Sequence, residues 1–274
     1  MKKALILAAG VGKRLGNLTK EIPKCLLPID LDNVLIDYSL EALKDNGIQE
    51  IIFVSGFAED KLKDYVTKKW GNDFSCRFIS NEKYSEYNNI YSAYLARDVW
   101  DDETILLNSD IIFHPDILRN IIASSGEVTT KQSRAGLREI DRDCFVALAG
   151  TTRNDMPPRS FLVIDNTKNL VSEDMKVKID ASGKIIEINK NLDIKVSFGE
   201  YIGITYLKGF ERVKFLASLE GNIKNKKFDL YYEDALAHVL KEINVFPCST
   251  QGKAWTEVDT KEDYELAKEV GKQI

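Results

Sequence analysis

Residues 1–29 read MKKALILAAGVGKRLGNLTKEIPKCLLPI. Residues 3–10 are a short run of small apolar side chains ending on glycine, the pattern of a strand buried on both faces. Gly10, Gly12 and Gly16 follow, with Lys13, Arg14 and Lys24 in or just after the loop. Flexible backbone and positive charge behind a first strand suit an anion. Glycine lets the backbone approach a ligand closely. Outward N–H groups, and the dipole of a helix expected to follow, favour phosphate.

From there strand and helix patterns alternate. LIDYSLEALKDNGI (35–48) has apolar residues at helical spacing and stops at Asn46-Gly47. QEIIFVSGF (49–57) reads as a buried strand, AEDKLKDYVTKKW (58–70) as a helix and CRFISN (76–81) as a strand. NNIYSAYLARDVW (88–100) reads as a helix and ETILLNSDIIF (103–113) as one long strand. This alternation predicts an α/β fold with a mostly parallel sheet and helices on both faces. After a helix near 115–126, a polar and poorly periodic stretch from about 128 to 159 contains Pro157-Pro158. It reads as an insertion or lid within a single domain spanning 1–274. Residues 161–190 look like a β-meander with turns at Asp165-Asn166 and Ser182-Gly183, and 200–208 like a strand. A helix at 229–243, late strands at 243–250 and 254–260, and a closing helix at 261–270 complete the chain.

The 274 residues are 44% hydrophobic and 30% charged, the balance of a soluble globular protein. A net charge of −5 argues against a general nucleic-acid binder. Four scattered cysteines with no CxxC pair read as reduced thiols in a cytoplasmic protein. The first apolar run is too short for a signal peptide, and no stretch is long and apolar enough to span a membrane.

Two familiar phosphate loops fail on the letters. A Walker A loop needs four residues between its glycines and then Lys-Ser/Thr, but Gly10 and Gly16 frame five and Asn17-Leu18 follow. A dinucleotide fingerprint needs a third glycine where Leu15 stands. What remains is LAAGVGKRL (7–15), Thr19, Pro23-Lys24 and LLPI (26–29). This resembles the signature of the nucleotidyltransferases, which join a nucleoside triphosphate to a phosphorylated small molecule. The resemblance implies a Rossmann-like three-layer α/β/α fold of glycosyltransferase-A type with a mixed, mostly parallel sheet. It implies a nucleotide cradle at Leu7, Ala8, Ala9, Gly10, Val11, Gly12 and Lys13. Arg14 offers a forked donor for the β- and γ-phosphates, and the likeness puts Lys24 at the α-phosphate and the incoming phosphate as the second catalytic cation.

LLNSDIIF (106–113) puts Asp110 at the end of an apolar strand, where ligands of α/β sheets gather. WTEVDTKED (255–263) resembles the family's C-terminal segment, which places Asp259 opposite Asp110 as a Mg²⁺-binding pair. Oxygen ligands with bound phosphates are what Mg²⁺ prefers. Glu257 shares the strand face of Asp259 and reads equally as a neighbour of the metal or a solvated strand residue.

NEKYSEYNNIYSA (81–93) lacks the glycine turn of sugar-phosphate nucleotidyltransferases and resembles the phosphocholine-type cytidylyltransferases. SEDMKV, GEYIGI and YYEDAL resemble the same branch. The branch implies CTP and a phosphorylated or phosphonylated small acceptor, such as phosphocholine or 2-aminoethylphosphonate. Asn81, Asn88 and Ser92 are then candidates for cytidine, since an amide can read both the amine and the carbonyl of cytosine. Asn88 also suits a helix N-cap. Acceptor candidates are Lys176, Glu200, Tyr201, Asp234 and Trp255, with Asp234 preferred for an acceptor amine. Tyr84, Tyr87, Tyr231, Tyr232, Glu233 and Lys190 are further groups of the right chemistry. No nucleic-acid or membrane partner is expected, and a homodimer is compatible. The rivals are a sugar-1-phosphate nucleotidyltransferase using UTP, dTTP or GTP, and a non-catalytic nucleotide-binding regulator.

Overall fold

The computed structural model describes residues 2–124 and 159–274. The stretch singled out at 128–159 lies outside the described residues except for its last position.

Four strands build the N-terminal half: β1 (Lys3–Ala8), β2 (Glu50–Ser55), β3 (Ser75–Ser80) and β4 (Thr104–Asn108). They are parallel, with β1 between β2 and β4 and β3 outside β2. Helices α1 (Leu35–Asp45), α2 (Glu59–Trp70) and α3 (Asn89–Leu95) connect them, as the alternation predicts. The side-chain alternation of β1 explains the three layers. Ala4, Ile6 and Ala8 join one core with residues of α1, α2 and α4 (Pro115–Ser124), while Leu5 and Leu7 join the other on the opposite face.

The predicted long strand at 103–113 is broken. β4 ends at Asn108, and β5 (Ile111–Phe113) leaves the main sheet to pair antiparallel with β11 (Trp255–Glu257). Ser109-Asp110 is the break, so Asp110 sits where two sheets part.

The C-terminal half adds β6 (Ser160–Asp165), β7 (Lys176–Ile179), β8 (Ile185–Asn189), β9 (Gly199–Tyr206) and β10 (Val245–Ser249), giving the order β10-β6-β9-β4-β1-β2-β3. β9 runs antiparallel to both β4 and β6. The predicted meander is not one: β6 and β7 do not pair with each other, and the β7–β8 hairpin docks on the start of β9. Three helices complete the fold: α5 (Gly209–Lys224), α6 (Tyr232–Val239) and α7 (Lys261–Gly271). α5 has no clean apolar stripe, because Phe210 and Val213 are exposed while Phe215 and Leu219 are buried, so periodicity does not announce it. A third, smaller core joins Leu15, Leu27, Tyr38, Ile112, Val258 and Tyr264, fastening α7 and β11 beneath the first loop. No disulfide joins Cys25, Cys76 and Cys248. Among the described residues no helix is long and apolar enough to cross a membrane.

Candidate active site

The loop after β1 does not enter an α-helix. Lys13–Thr19 form 3-10 turns kinked at Gly16, and the first α-helix begins only at Leu35. The dipole of a directly following α-helix is therefore missing, and the loop's own amides and cations supply positive potential. Gly12 lies at φ 66°, and a Cβ there would meet Thr19 at 3.2 Å and Lys24 at 3.3 Å, so glycine is required. Thr19 fixes the turn by donating from Oγ1 to the Gly12 carbonyl (2.9 Å). The Gly10 and Val11 amides donate to no group among the described residues. Leu15, which spoils the dinucleotide fingerprint, is fully buried in the third core.

Beside this loop stands a charged cluster. Lys24 Nζ lies 2.7 Å from Asp110 Oδ2 and 2.9 Å from Asp259 Oδ1, and Arg14 Nη2 lies 2.5 Å from Asp259 Oδ2. Asp110 and Asp259, far apart in sequence, meet because β11 pairs with β5 and the Val258 amide donates to the Asp110 carbonyl (2.8 Å). Burial alone would lower the pKa of Lys24, but Asp110 and Asp259 outweigh it and hold the ammonium well above its ordinary value. Burial likewise pushes Asp259 up, yet Lys24 and Arg14 keep it below the usual carboxylate range.

Glu257 completes an acidic trio. One oxygen each from Asp110, Glu257 and Asp259 lie within 4.8 Å of one another. Lost hydration and then the two neighbouring charges push the Glu257 carboxyl up. Oδ1 of Asp110 is buried without a hydrogen-bond partner among the described residues. Three carboxylates of hard oxygen, one with an unsatisfied buried atom, fit a divalent ion of the Mg²⁺ type beside bound phosphate.

Loop and cluster face one cavity of about 400 Å³. Leu7, Ala8, Ala9, Gly10, Val11, Gly12, Lys13, Arg14, Lys24, Asp110 and Asp259 all line it, as do Asn81, Asn88, Ser92 and Tyr201. Asn81 is buried, donating to Ser92 Oγ (2.9 Å) while its Oδ1 accepts from the Lys83 amide (2.9 Å). Asn88 caps α3, accepting from the Asn89 amide (3.0 Å) and donating to the Asp229 carbonyl (3.1 Å).

The other acceptor candidates do not line the cavity. Lys176 is buried with its ammonium on the carbonyls of Val171, Ser172 and Asp174, at 3.3, 2.8 and 3.0 Å. Glu200 precedes Tyr201 on β9, so the pleat turns it to the other face, where it pairs with Lys168 (2.5 Å). Trp255 donates to Asp165 Oδ2 (2.7 Å) and carries Lys168 over its ring. Asp234 accepts from the Tyr231 amide (2.8 Å) and closes the first turn of α6. Its neighbour Glu233 lines the cavity instead, together with Tyr84, Tyr87, Asn89, Asn108, Lys190, Tyr231 and Glu257. Asn89 and Asn108 are among the lining residues that no sequence signal singled out.

Residues 3–134 match the family described as nucleotidyl transferase. The fold agrees: the chain superposes on the inositol-1-phosphate CTP transferase of T. maritima with a TM-score of 0.71 at 20% identity, covering 100% of this chain and 98% of that one. The matched segment contains the first loop, Arg14, Lys24 and Asp110. Over its full length the chain is similar to cytidylyltransferases. The choline-phosphate cytidylyltransferase of Streptococcus pneumoniae is 26% identical over 98% of this chain and 97% of its own. The CTP:phosphoglutamine cytidylyltransferase of Campylobacter jejuni subsp. jejuni is 28% identical over 96% and 98%. The solved CTP:phosphocholine cytidylyltransferase of S. pneumoniae superposes with a TM-score of 0.68 at 24% identity, covering 98% of this chain and 99% of that one.

Proposed function

We propose that the protein transfers CMP from CTP to an oxygen of a small phosphorylated or phosphonylated acceptor and releases pyrophosphate. The observation that carries the reading is Lys24. Its ammonium bridges Asp110 and Asp259 in a cavity that the Gly10–Gly12 loop also lines. CTP specifically is supported by the cytidylyltransferases that match this chain end to end.

The acceptor oxygen is already ionised at neutral pH, so no strong base is needed. It attacks the α-phosphorus in line, and the bond from that phosphorus to the bridging oxygen of the β-phosphate breaks as pyrophosphate leaves. Catalysis is then positioning and charge neutralisation. The free amides of the first loop hold the triphosphate, Arg14 neutralises the departing β- and γ-phosphates, and Lys24 draws the two reacting anions together. Asp110 and Asp259, with Glu257 beside them, would hold a divalent ion, which supplies electrostatic stabilisation of the α-phosphate and acceptor when bound. Asn81 and Ser92 form a fixed polar pair on the β3–α3 side, suited to the cytidine.

The test is pyrophosphate release from CTP, UTP, dTTP and GTP with Mg²⁺ and a panel of phospho- and phosphono-acceptors, including sugar 1-phosphates. Strong preference for CTP with a non-sugar acceptor is expected. Preference for another nucleotide with a sugar 1-phosphate would establish the rival sugar-nucleotide reading. CTP binding without turnover of any acceptor would establish a regulator.

A further inference from the structure

Three acids of the cavity stand together at the cation cluster. The fourth stands apart. Glu233 is buried, lines the cavity and has no ion-pair partner among the described residues, and its Oε2 accepts no hydrogen bond there. A buried unpaired carboxylate is costly unless something pairs with it. Tyr232 and Asn89, both neutral, assist its ionised form, and the charge of Asp234 opposes it.

Its position bridges the two sides of the cavity. The hydroxyl of Tyr232, the residue before it, donates to Asn108 Oδ1 (3.2 Å), two positions ahead of Asp110 on the β4–β9 side, and the Tyr232 amide donates to Asn89 Oδ1 (2.9 Å) at the start of α3. The Asn81–Ser92 pair stands on the β3–α3 side. Among the tyrosines that line the cavity, Tyr87 has one face stacked on Phe228 at 4.0 Å, and Tyr231 already carries the Lys190 ammonium 5.8 Å from its ring centre. Tyr201 is buried, with its hydroxyl on that of Tyr232 (2.8 Å). No tryptophan lines the cavity among the described residues. A quaternary ammonium has no N–H and wants aromatic faces. An unsatisfied carboxylate oxygen instead wants an N–H donor that carries charge.

We infer that Glu233 is a specificity-determining residue that binds a primary ammonium group on the acceptor. The inference rests on the CMP-transfer reading for which substrate carries the amine. It selects, among acceptors of the related enzymes' kind, those with –NH₃⁺ over those with a methylated nitrogen or a neutral tail.

The experiment compares wild type with Glu233→Gln on 2-aminoethyl phosphate, phosphocholine and n-propyl phosphate. Pyrophosphate release from CTP·Mg²⁺ gives kcat/KM. Calorimetry of the same acceptors on the protein loaded with a non-hydrolysable CTP analogue gives affinity without turnover. Wild type is expected to favour the primary amine over both others by about 100-fold or more, and Glu233→Gln to reduce that ratio below about tenfold while keeping its affinity for CTP. A wild type that favours phosphocholine or propyl phosphate overturns the inference. So does a variant that keeps the ratio, or one that loses CTP instead. If no acceptor releases pyrophosphate, the CMP-transfer reading falls, and the calorimetric comparison still decides whether Glu233 holds an ammonium.

Discussion

Gly203 of β9 faces the side chain of Asn108 on β4 so closely that a Cβ there would lie 2.7 Å from the Asn108 amide nitrogen. Its backbone also sits at φ 86°, in the left-handed region. Asn108 Oδ1 in turn accepts from Tyr232, beside Glu233. Gly203→Ala is therefore expected to cost about 1–3 kcal/mol through strain and to lower turnover by displacing Asn108. Gly221→Ala is the control, because no atom stands within 4 Å of its would-be Cβ inside α5. It should stabilise by about 0.5–1 kcal/mol. Thermal melts of the two variants and their turnover check both, and equal stability would sink the packing argument.

Lys24 and Arg14 contact the same aspartate but differ in exposure: the Lys24 side chain is 12% exposed and that of Arg14 65%. Removing Lys24 leaves three carboxylates facing one another, whereas an exposed pair such as Arg14–Asp259 contributes about 0–1 kcal/mol. Lys24→Ala is expected to cut turnover by orders of magnitude and to make the melting temperature rise more on adding Mg²⁺ than in wild type. Arg14→Ala should leave the melt nearly unchanged and weaken CTP binding. A Lys24→Ala enzyme with near-normal turnover would refute the role given to that ammonium.

Much of this architecture is legible in the chain. β1 to β4 follow from apolar runs between amphipathic helices, and LAAGVGKRL and Pro23-Lys24, through their family resemblance, point to residues that line the cavity. The misses share a cause, which is that long-range pairing decides them. Nothing local to LLNSDIIF says that Ile111–Phe113 will leave the sheet for a partner near residue 256. In YYED the sequence reading prefers Asp234, but the helix begins at Tyr232, so the acid at 234 folds back on the Tyr231 amide and the one at 233 lines the cavity. Lys176 looks like a phosphate ligand by type, yet the 171–174 loop wraps its ammonium in carbonyls.

That wrapping separates Lys176 from Lys190. Replacing Lys176 with methionine removes donors from three carbonyls, at about 1–3 kcal/mol for an unsatisfied buried group, and should lower stability without a specific change in KM. Lys190 lines the cavity beside Tyr231, with its ammonium 5.8 Å from the ring centre. Lys190→Ala should leave the melt intact and raise KM for CTP or the acceptor several-fold. Denaturant titrations alongside steady-state kinetics distinguish the two, and the opposite pattern would return Lys176 to the binding surface.

Burial pushes the Glu233 carboxyl up to about 7 from an ordinary 4.5. The folded state therefore keeps a proton that the unfolded chain loses, and stability falls as pH rises between those two values. The loss is complete above pH 7 and amounts to at most on the order of 3 kcal/mol. Glu200, also pushed to about 7 by burial, adds a parallel slope that remains when Glu233 is changed. Glu233→Gln should thus match wild type near pH 4.5 and exceed it increasingly toward pH 8, with a shallower but surviving decline. Urea denaturation at pH 5, 6, 7 and 8 measures this. A stability difference that does not change with pH would mean that Glu233 is ionised in the folded protein across the whole range.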